Sequence, residues 1–302
     1  MELIILGCHS ATPKSNLNPT AQVLEINGEL FLIDCGEGTQ VQLRRNRIKF
    51  SRIKHIFISH LHGDHCFGLI GLISTFGLLN RQPDLHIHGP RGIENFIKHQ
   101  LALTKTFLSY QLAFHELDSD APEVILETEK VSVETIPLEH RIYTNGFLFR
   151  EKPGDRQLMI DVVKELSIDK AYYKRIVKGK DVQLQSGDII KNEDLTLPPK
   201  KTLSYAFCSD TAFKPSLVDQ IQGVDVLYHE STFLEHHEDL AFKTKHSTAK
   251  QAGIIAQKAQ VGELILGHFS ARYRNSEDFK AEAEIVFDPV KLAASGQKFI
   301  YH

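Results

Sequence analysis

Four side chains of the kinds that bind metal ions occur within six residues, His60-Leu61-His62-Gly63-Asp64-His65. The motif follows an apolar segment, residues 55–59, which we predict to be a β-strand. Alternate side chains of an extended chain share a face, so His60 and His62 can hold one ion. Asp64 and His65, after a turn at Gly63, can face a second ion. If these side chains had only a structural role, four polar groups at the end of a strand would each need a hydrogen-bond partner. The motif therefore predicts a metal site.

Three further candidate ligands each end an apolar run: His140 follows residues 131–139, Asp210 follows 203–209, and His268 follows 264–267. Ligand sites of layered α/β proteins lie beyond the carboxyl ends of strands, so we expect these side chains to converge. The carboxylate of Asp210 can bridge two ions. The other six candidates then divide into two sets, His60, His62 and His140 for one ion, and Asp64, His65 and His268 for the other. Two ions about 3.5–4 Å apart suit hydrolysis of a phosphodiester, and equally of an ester, thioester or lactam.

Strand and helix patterns alternate along the chain, which predicts an α/β fold with sheets packed between helices. The predicted strands are residues 2–7, 21–26, 30–33, 55–59, 85–88, 131–136, 204–208, 224–228, 263–266 and 298–301. The predicted helices are residues 38–45, 67–79, 92–104, 158–166, 215–222, 248–259 and 277–286. Residues 150–199 are charged and interrupted by Pro and Gly, so we interpret them as an arm inserted into a single domain of residues 1–302.

Composition narrows the class of protein. The 302 residues are 42% hydrophobic, which is enough for a large core. No apolar stretch reaches the 18 residues of a membrane span, and residues 1–6 resemble a first strand more than a signal peptide. Four scattered cysteines, Cys8, Cys35, Cys66 and Cys208, indicate buried free thiols in a reducing cytoplasm.

The formal net charge of −3 argues against a surface that binds nucleic acid everywhere. Two local basic patches remain, and a solvated face is the simpler interpretation of either one alone. The first patch is Arg44, Arg45, Arg47, Lys49, Arg52 and Lys54, and the arm patch is Lys170, Lys174, Arg175, Lys178 and Lys180.

The motif at residues 60–65, with the later His, Asp and His, resembles the metallo-β-lactamase superfamily. That resemblance implies an αβ/βα sandwich of four layers. Residues 31–40, 57–72, 228–233, 246–249 and 268–273 are similar to motifs of the ribonuclease Z family within it, and the arm lies where short-form members insert a flexible tRNA-binding arm. Two segments depart from that pattern: residues 167–173 of the arm lack a Gly-Pro element, and the loop of residues 11–20 differs from the usual Pro-Thr-Lys loop.

The resemblance implies a zinc-dependent endoribonuclease that removes the 3′ trailer of precursor tRNA, with two Zn²⁺ ions per subunit, a homodimeric assembly and a cytoplasmic location. It implies Asp64 as proton acceptor, and the alternative is that Asp64 is a metal ligand only. His246, at a helix entry before Ser247 and Thr248, is the candidate proton donor to the leaving oxygen, and the alternative is that it only caps the helix or orients a neighbour. We expect Glu230 to keep His246 charged, and Arg272 to contact either an RNA phosphate or a carboxylate within the fold. The remaining alternatives are a small-molecule phosphodiesterase or ester hydrolase of the same fold, and a non-catalytic RNA-binding protein. Other histidines, among them His86, His88 and His229, lack a comparable spacing, and we expect surface or supporting positions for them.

Overall fold

The computed structural model describes residues 1–12, 15, 17–184 and 187–302. Pro13, Lys14 and Asn16, in the loop that departs from the family pattern, lie outside the described residues, as do Gln185 and Ser186 of the arm. The strands are β1 (Glu2–Gly7), β2 (Ala21–Ile26), β3 (Glu29–Ile33), β4 (Ile53–Phe57), β5 (Leu85–Pro90), β6 (Leu112–Leu117), β7 (Val124–Glu127), β8 (Val131–Pro137), β9 (Asn145–Glu151), β10 (Gln157–Leu158), β11 (Val182–Gln183), β12 (Ile189–Ile190), β13 (Thr196–Leu197), β14 (Ser204–Cys208), β15 (Val226–Glu230), β16 (Glu263–Gly267), β17 (Val290–Leu292) and β18 (Lys298–Ile300).

Helices connect many of these strands. The α-helices are α1 (Thr39–Arg45), α2 (Gly63–Cys66), α3 (Leu69–Leu78), α4 (Ile93–Leu103), α5 (Ile160–Glu165), α6 (Tyr173–Ile176), α7 (Asn192–Leu195), α8 (Leu217–Gln220), α9 (Glu238–Thr244), α10 (Ala249–Lys258) and α11 (Glu277–Glu284). Short 3₁₀ turns cover Phe50–Arg52, Lys170–Tyr172 and Glu235–His237. Within the described residues, no helix is both long enough and apolar enough to cross a membrane.

Two seven-stranded sheets form the body of the described structure. The first sheet has the order β18-β1-β2-β3-β4-β5-β6, and the second has the order β17-β16-β15-β14-β9-β8-β7. Strands β3 to β6 are parallel, as are β14 to β17, and each parallel group is joined to antiparallel strands. The parallel groups follow from the alternation of strand and helix, because parallel neighbours need a crossover connection.

The apolar residues divide between the two faces of the first sheet. In β1, Leu3 and Ile5 belong to the core between the sheets, whereas Ile4 and Leu6 pack with α1, α3 and α4 on the outer face. Both faces of the strand are buried, so its sequence is continuously apolar. Helices α10 and α11 pack against the second sheet. The predicted four-layer αβ/βα sandwich is therefore confirmed.

The predicted helices and strands match observed elements, with ends that shift by up to two residues. Four strands of the two large sheets, β6, β7, β9 and β17, were not predicted, and neither was α9. Within the second sheet, β9 lies very close to its neighbour β14, because a Cβ at Gly146 would lie 2.2 Å from the carbonyl oxygen of Phe207. In the sequence, a glycine at this position suggests a turn. In the structure it lies within a strand, where a side chain would collide with the neighbouring backbone. All four cysteines are buried and free, as predicted.

The segment between β9 and β14 has a small core of its own. Five buried residues form it: Val163, Ile168, Ile176, Val182 and Leu195. The polar composition of the arm did not predict this core. The arm leaves and re-enters the body at one point, because the backbone N–H of Glu151 donates to the carbonyl oxygen of Leu203 at 2.9 Å.

Four histidines stack on neighbouring strands of the first sheet: His55 on β4, His86 and His88 on β5, and His115 on β6. The rings of His88 and His115 lie 4.3 Å apart, and the ring of His88 also stacks on Phe57 at 4.6 Å. His88 and His229 are each 1% exposed, so of the two expected positions, surface or supporting, the surface position is excluded for both. The burial of paired strands is not visible in local spacing, so the sequence alone could not choose between the two positions.

Burial, together with the neighbouring histidines, lowers the pKa of His88 to about 2. We expect this residue to make the fold acid-sensitive. An unfolded histidine takes up a proton near pH 6.5, whereas folded His88 stays neutral, so its contribution is complete above pH 6.5 and is lost as the pH falls. The measurement is the free energy of unfolding, from chemical denaturation in the presence of chelator, at a series of pH values between 7 and 5. Its slope against pH should be shallower in His88→Gln by the equivalent of about one proton. At pH 5 this difference amounts to about 2 kcal/mol. The exposed His99→Gln should keep the wild-type slope; identical slopes in all three proteins would contradict the expectation.

Candidate metal centre

The seven predicted ligands meet at one edge of the molecule. His60, His62, Asp64 and His65 follow β4, and Asp210 and His268 follow the parallel strands β14 and β16. His140 follows β8, which runs in the direction of β14 because both are antiparallel to β9. The carboxyl ends of strands in both sheets therefore supply the site, as the sequence predicts.

The first donor set contains His60, His62, His140 and Asp210, whose donor atoms all lie within 4.8 Å of one another. His62 Nδ1 lies 2.9 Å from His60 Nε2 and 3.3 Å from His140 Nε2. Asp210 Oδ2 lies 3.6 Å from His60 Nε2 and 3.7 Å from His140 Nε2. Tetrahedral ligands with zinc bonds of 2.0–2.2 Å lie about 3.3–3.6 Å apart. Three of the four separations are close to that range and the 2.9 Å between His60 and His62 is shorter, so the side chains need only a small shift to hold one ion.

The second donor set contains Asp64, His65 and His268, with the other oxygen of Asp210. Asp64 Oδ2 lies 3.4 Å from both His65 Nε2 and His268 Nε2. Asp210 Oδ1 lies 3.2 Å from each of the same two nitrogens. The two oxygens of Asp210 thus face different donor sets, which is the geometry of a carboxylate bridge.

Charge and hydrogen bonding favour a cation at this site. His65 Nε2 is fully buried and makes no hydrogen bond. Burial opposes protonation of His65, but the carboxylates of Asp210, Asp34 and Asp64 raise its pKa well above the usual value. These three buried carboxylates require a positive partner. A divalent ion supplies that charge and gives the unpaired nitrogen a ligand role, so the residues fit a metal-binding site.

Polar groups behind the ligands fix the imidazole rings in place. His65 Nδ1 donates to Asp34 Oδ2 at 2.7 Å, and His60 Nδ1 lies 3.0 Å from Ser59 Oγ. Asp34 accepts two further hydrogen bonds, from the backbone N–H and the hydroxyl of Ser59. A partner on the outer nitrogen selects the tautomer that leaves the other nitrogen free for an ion.

The ligands from the second sheet have similar partners. His140 Nδ1 donates to the carbonyl oxygen of Lys245 at 2.9 Å, and His268 Nδ1 donates to Thr232 Oγ1 at 2.9 Å. The Thr232 hydroxyl in turn donates to Glu230. Four of the five imidazole ligands, all except His62, therefore have a described partner on the nitrogen that faces away from the site. Asp210 faces both donor sets.

Three residues of this region adopt left-handed backbone conformations: Asp34 (φ 56°), Asp210 (φ 59°) and His268 (φ 57°). Each directly follows a strand or, for Asp210, lies one residue further on. Such conformations are costly for residues other than glycine and cluster at functional sites. The turns redirect the side chains from the sheets towards the shared centre.

His246 and Glu230 form a buried pair beside the donor sets. His246 Nδ1 lies 2.8 Å from Glu230 Oε1, the contact expected from the sequence. Glu230 is fully buried and also accepts from the backbone N–H groups of Thr211 and Thr232. Burial opposes the charge of His246, but Glu230 raises its pKa to about 9, so the imidazole is charged at neutral pH.

A cleft of about 380 Å³ opens over the donor atoms, and it is lined by His62, Asp64, Asp210, His246, His268 and Arg141, among others. Arg272 is exposed and does not line this cleft. The first basic patch begins at the end of α1 and reaches β4, at the opposite end of the strands from the ligands. It therefore lies away from the cleft, and its Arg52 pairs with Glu25.

Sequence reasoning missed four residues of the site: Asp34, Ser59, Thr232 and Arg141. Asp34 follows an apolar run as the predicted ligands do, so the same rule would have found it. Ser59 and Arg141 are direct chain neighbours of His60 and His140, and adjacency was the available signal. Thr232 lies in the segment of residues 228–233 that resembles a ribonuclease Z motif, and that resemblance was the available signal.

Comparisons with known proteins agree with this fold and site. Residues 1–191 match the family model described as Anti-Pycsar protein Apyc1. Ribonuclease Z of Bacteroides thetaiotaomicron is 48% identical over 292 residues, which are 97% of this chain and 92% of that protein. Ribonuclease Z of Cytophaga hutchinsonii is 44% identical over 299 residues, 99% of this chain and 95% of that protein.

Solved structures share the architecture. The short form of human tRNase Z has a TM-score of 0.72 and 27% identity, with 99% of both chains covered. A metallo-β-lactamase fold protein of Bacillus subtilis has a TM-score of 0.68 at 18% identity, with 99% of this chain and 98% of that chain covered. The fold and the donor sets thus define a metallo-β-lactamase fold protein with a metal-binding site. Within that class, the chain belongs to the ribonuclease Z family.

Because Asp210 faces both donor sets, we expect Asp210→Asn to weaken metal binding more than any change at an exposed carboxylate. An ion that binds only the folded chain raises its melting temperature. Added Zn²⁺ should raise the melting temperature of the wild-type protein, and chelator should lower it, whereas Asp210→Asn should respond to neither. Asp120→Asn, at an exposed position, is the matched control and should respond as the wild type does. Equal metal content in the two variants by elemental analysis would contradict the bridging role.

Proposed function

We propose that this chain hydrolyses precursor tRNA at the start of the 3′ trailer. The cut leaves a 3′-hydroxyl on the tRNA and a 5′-phosphate on the trailer. The observation that carries the proposal is the pair of donor sets that share Asp210, in a chain 48% identical to a ribonuclease Z over 97% of its length. The likeness to the short form of human tRNase Z supports the same substrate.

The donor chemistry supports two zinc ions, one in each set. Five imidazoles and two carboxylates match the nitrogen and oxygen ligands that zinc prefers in catalytic sites. When bound, such ions would lower the pKa of a shared water and neutralise charge on the phosphate.

Asp64 is our candidate proton acceptor for the attacking water. Its Oδ2 faces His65 and His268, so Oδ1 is the oxygen left for a proton. Burial opposes ionisation, yet the charges of and hydrogen bonds from His65 and His268 lower its pKa, so the carboxylate is ionised at neutral pH. A carboxylate within hydrogen-bond reach can then take a proton from the water.

His246 is our candidate proton donor to the 3′ oxygen that leaves phosphorus. It lines the cleft, and its ring lies 5.4 Å from that of His268 and 5.1 Å from that of His140. Glu230 holds the ring at Nδ1, so Nε2 is the nitrogen that can face substrate. The positive charge favoured by Glu230 gives it a proton to donate.

The arm is proposed to hold the body of the tRNA. Its five basic residues are all exposed, and only Lys178 has a described ion pair, with Asp155 at 2.7 Å. Exposed cations on a separate small core suit recognition of RNA shape and backbone. In this proposal residues 150–199 act as a binding element and the rest of residues 1–302 as one catalytic domain.

A homodimer in the cytoplasm completes the proposal. Large apolar side chains are exposed at the ends of α3 and α4, with Leu78 83% exposed, Leu103 71% and Phe107 92%. Such a surface suits contact with a second copy. Sedimentation velocity separates the mass of one chain from that of two. The four buried free thiols suit a reducing compartment.

The test is cleavage of a precursor tRNA transcript, with the cut mapped to the nucleotide. We expect a cut at the 3′ trailer that chelator abolishes. The triple variant Lys170→Gln, Lys174→Gln, Lys180→Gln should lose affinity for the transcript, because it loses contacts to phosphates. The affinity should also depend less on salt: the slope of log affinity against log salt concentration should become shallower by up to about 0.9 for each contact removed. Hydrolysis of the small diester bis(p-nitrophenyl) phosphate should stay unchanged.

The matched control removes three charges from the first basic patch, with Arg44→Gln, Arg47→Gln and Lys49→Gln. This variant should bind and cleave the transcript as the wild type does. A wild-type protein that hydrolyses the small diester but leaves the transcript intact would instead indicate a small-molecule phosphodiesterase. Equal salt slopes in the two triple variants would remove the role of the arm.

His246→Asn should slow cleavage of the transcript about 10²–10⁴-fold, the usual contribution of a general acid. Nitrophenolate leaves without a proton, so the same variant should hydrolyse bis(p-nitrophenyl) phosphate nearly as fast as the wild type. Glu230→Gln should follow the same pattern with a smaller loss, and the exposed His236→Asn should change neither rate. A parallel loss on both substrates would show that His246 holds the metal site together and is not a proton donor.

A further inference from the structure

The described wall of the cleft carries a side chain with a permanent positive charge. Among the described residues that line it, Arg141 is the single lysine or arginine. The carboxylates Asp64 and Asp210 and the imidazoles around them form the floor. An anionic substrate that enters this cleft therefore meets one guanidinium outside the donor sets.

The backbone beside Arg141 is firmly held. The backbone N–H of Glu139 donates to Thr211 Oγ1 at 3.1 Å, and the carbonyl oxygen of Glu139 accepts from the N–H of Ala212 at 2.8 Å. His140 is fixed by its bond to the carbonyl oxygen of Lys245. A side chain that follows two anchored residues starts from a defined position at the cleft.

Among the described residues, the guanidinium of Arg141 has no hydrogen-bond or ion-pair partner. Arg141 is exposed, and among the described residues no carboxylate lies within 4 Å of it. Nearby Lys245 differs, because it pairs with Glu139 at 2.5 Å. Arg141 lies close enough to both His62 and His246 for its charge to act on them: it adds to the lowering of the pKa of His62, and it partly opposes the rise in the pKa of His246. It is therefore near both the first donor set and the proposed proton donor.

Hydrolysis of a phosphodiester concentrates negative charge on the phosphate, which would occupy the cleft that Arg141 lines. The oxygen of water forms a bond to phosphorus while the bond from phosphorus to the 3′ oxygen breaks. The water proton goes to Asp64, and the 3′ oxygen receives a proton from His246. During the transfer the non-bridging oxygens gain charge, and a planar guanidinium is suited to bind them.

We propose that Arg141 is a catalytic residue that binds a non-bridging oxygen of the scissile phosphate. The inference rests on the proposed function for its substrate, and it adds a residue to the reaction. A purely structural arginine would have a carboxylate or carbonyl partner in the fold, and none is described. Arginine at this position binds the phosphate from the side that the donor sets leave open.

The test compares Arg141→Gln and Arg141→Lys on the transcript and on bis(p-nitrophenyl) phosphate. Arg141→Gln should lower kcat about ten- to hundredfold on both substrates, since both contain the same phosphodiester, and metal content should stay at the wild-type value. Arg141→Lys should be faster than Arg141→Gln but slower than the wild type, because lysine keeps the positive charge and lacks the paired N–H donors of the guanidinium. This pattern differs from that of His246→Asn, which spares the small diester.

Phosphorothioate transcripts give a second readout. Replacing one non-bridging oxygen with sulfur should slow the wild-type protein, and Arg141→Gln should reduce that penalty for one of the two diastereomers. Arg91→Gln, an exposed arginine just after β5, is the matched control and should keep wild-type rates. Unchanged kcat in Arg141→Gln on both substrates overturns the inference. A wild-type protein inactive on the transcript but active on the small diester overturns the proposed substrate and leaves the arginine testable on the diester.

Discussion

The carboxylate of Asp210 lies between the two donor sets and contacts both of them with its negative charge. One oxygen faces imidazoles that follow β4 and β8, and the other faces His65 and His268. Burial alone would favour the neutral acid, but the surrounding imidazoles hold the pKa of Asp210 well below its usual value. The site therefore contains fixed negative charge before any ion arrives, and the fold must keep these donors together against their own repulsion and against backbone strain.

That arrangement is supported from behind by polar contacts. Asp34 and Ser59 orient the ligands that come from the first sheet, while Thr232 and Glu230 orient His268 and His246. Glu230 connects ligand orientation to the charge of the proposed proton donor, because one carboxylate serves both. Binding of an ion and readiness for proton transfer are in this way set by the same few buried groups.

Much of this was accessible from the sequence, for a physical reason. Candidate metal ligands at strand ends follow apolar runs, so a local pattern in the sequence pointed to the same seven side chains that converge in the structure. Residues whose surroundings come from distant segments were harder to predict: Gly146 is explained only by the approach of Phe207, and His88 only by the neighbouring strands. The arm shows the same limit, because its five core residues are spread over a polar segment and become a cluster only after folding.

The order of the strands has a consequence for biosynthesis. The edge strand β18 pairs with β1, with Glu2 opposite Ile300, and the last donor, His268, also comes late in the chain. A ribosome thus releases the segment of residues 60–65 long before the residues that complete its charge and coordination. The metal site therefore cannot form before residue 268 has been synthesised, so the donor sets are completed only when most of the fold is present.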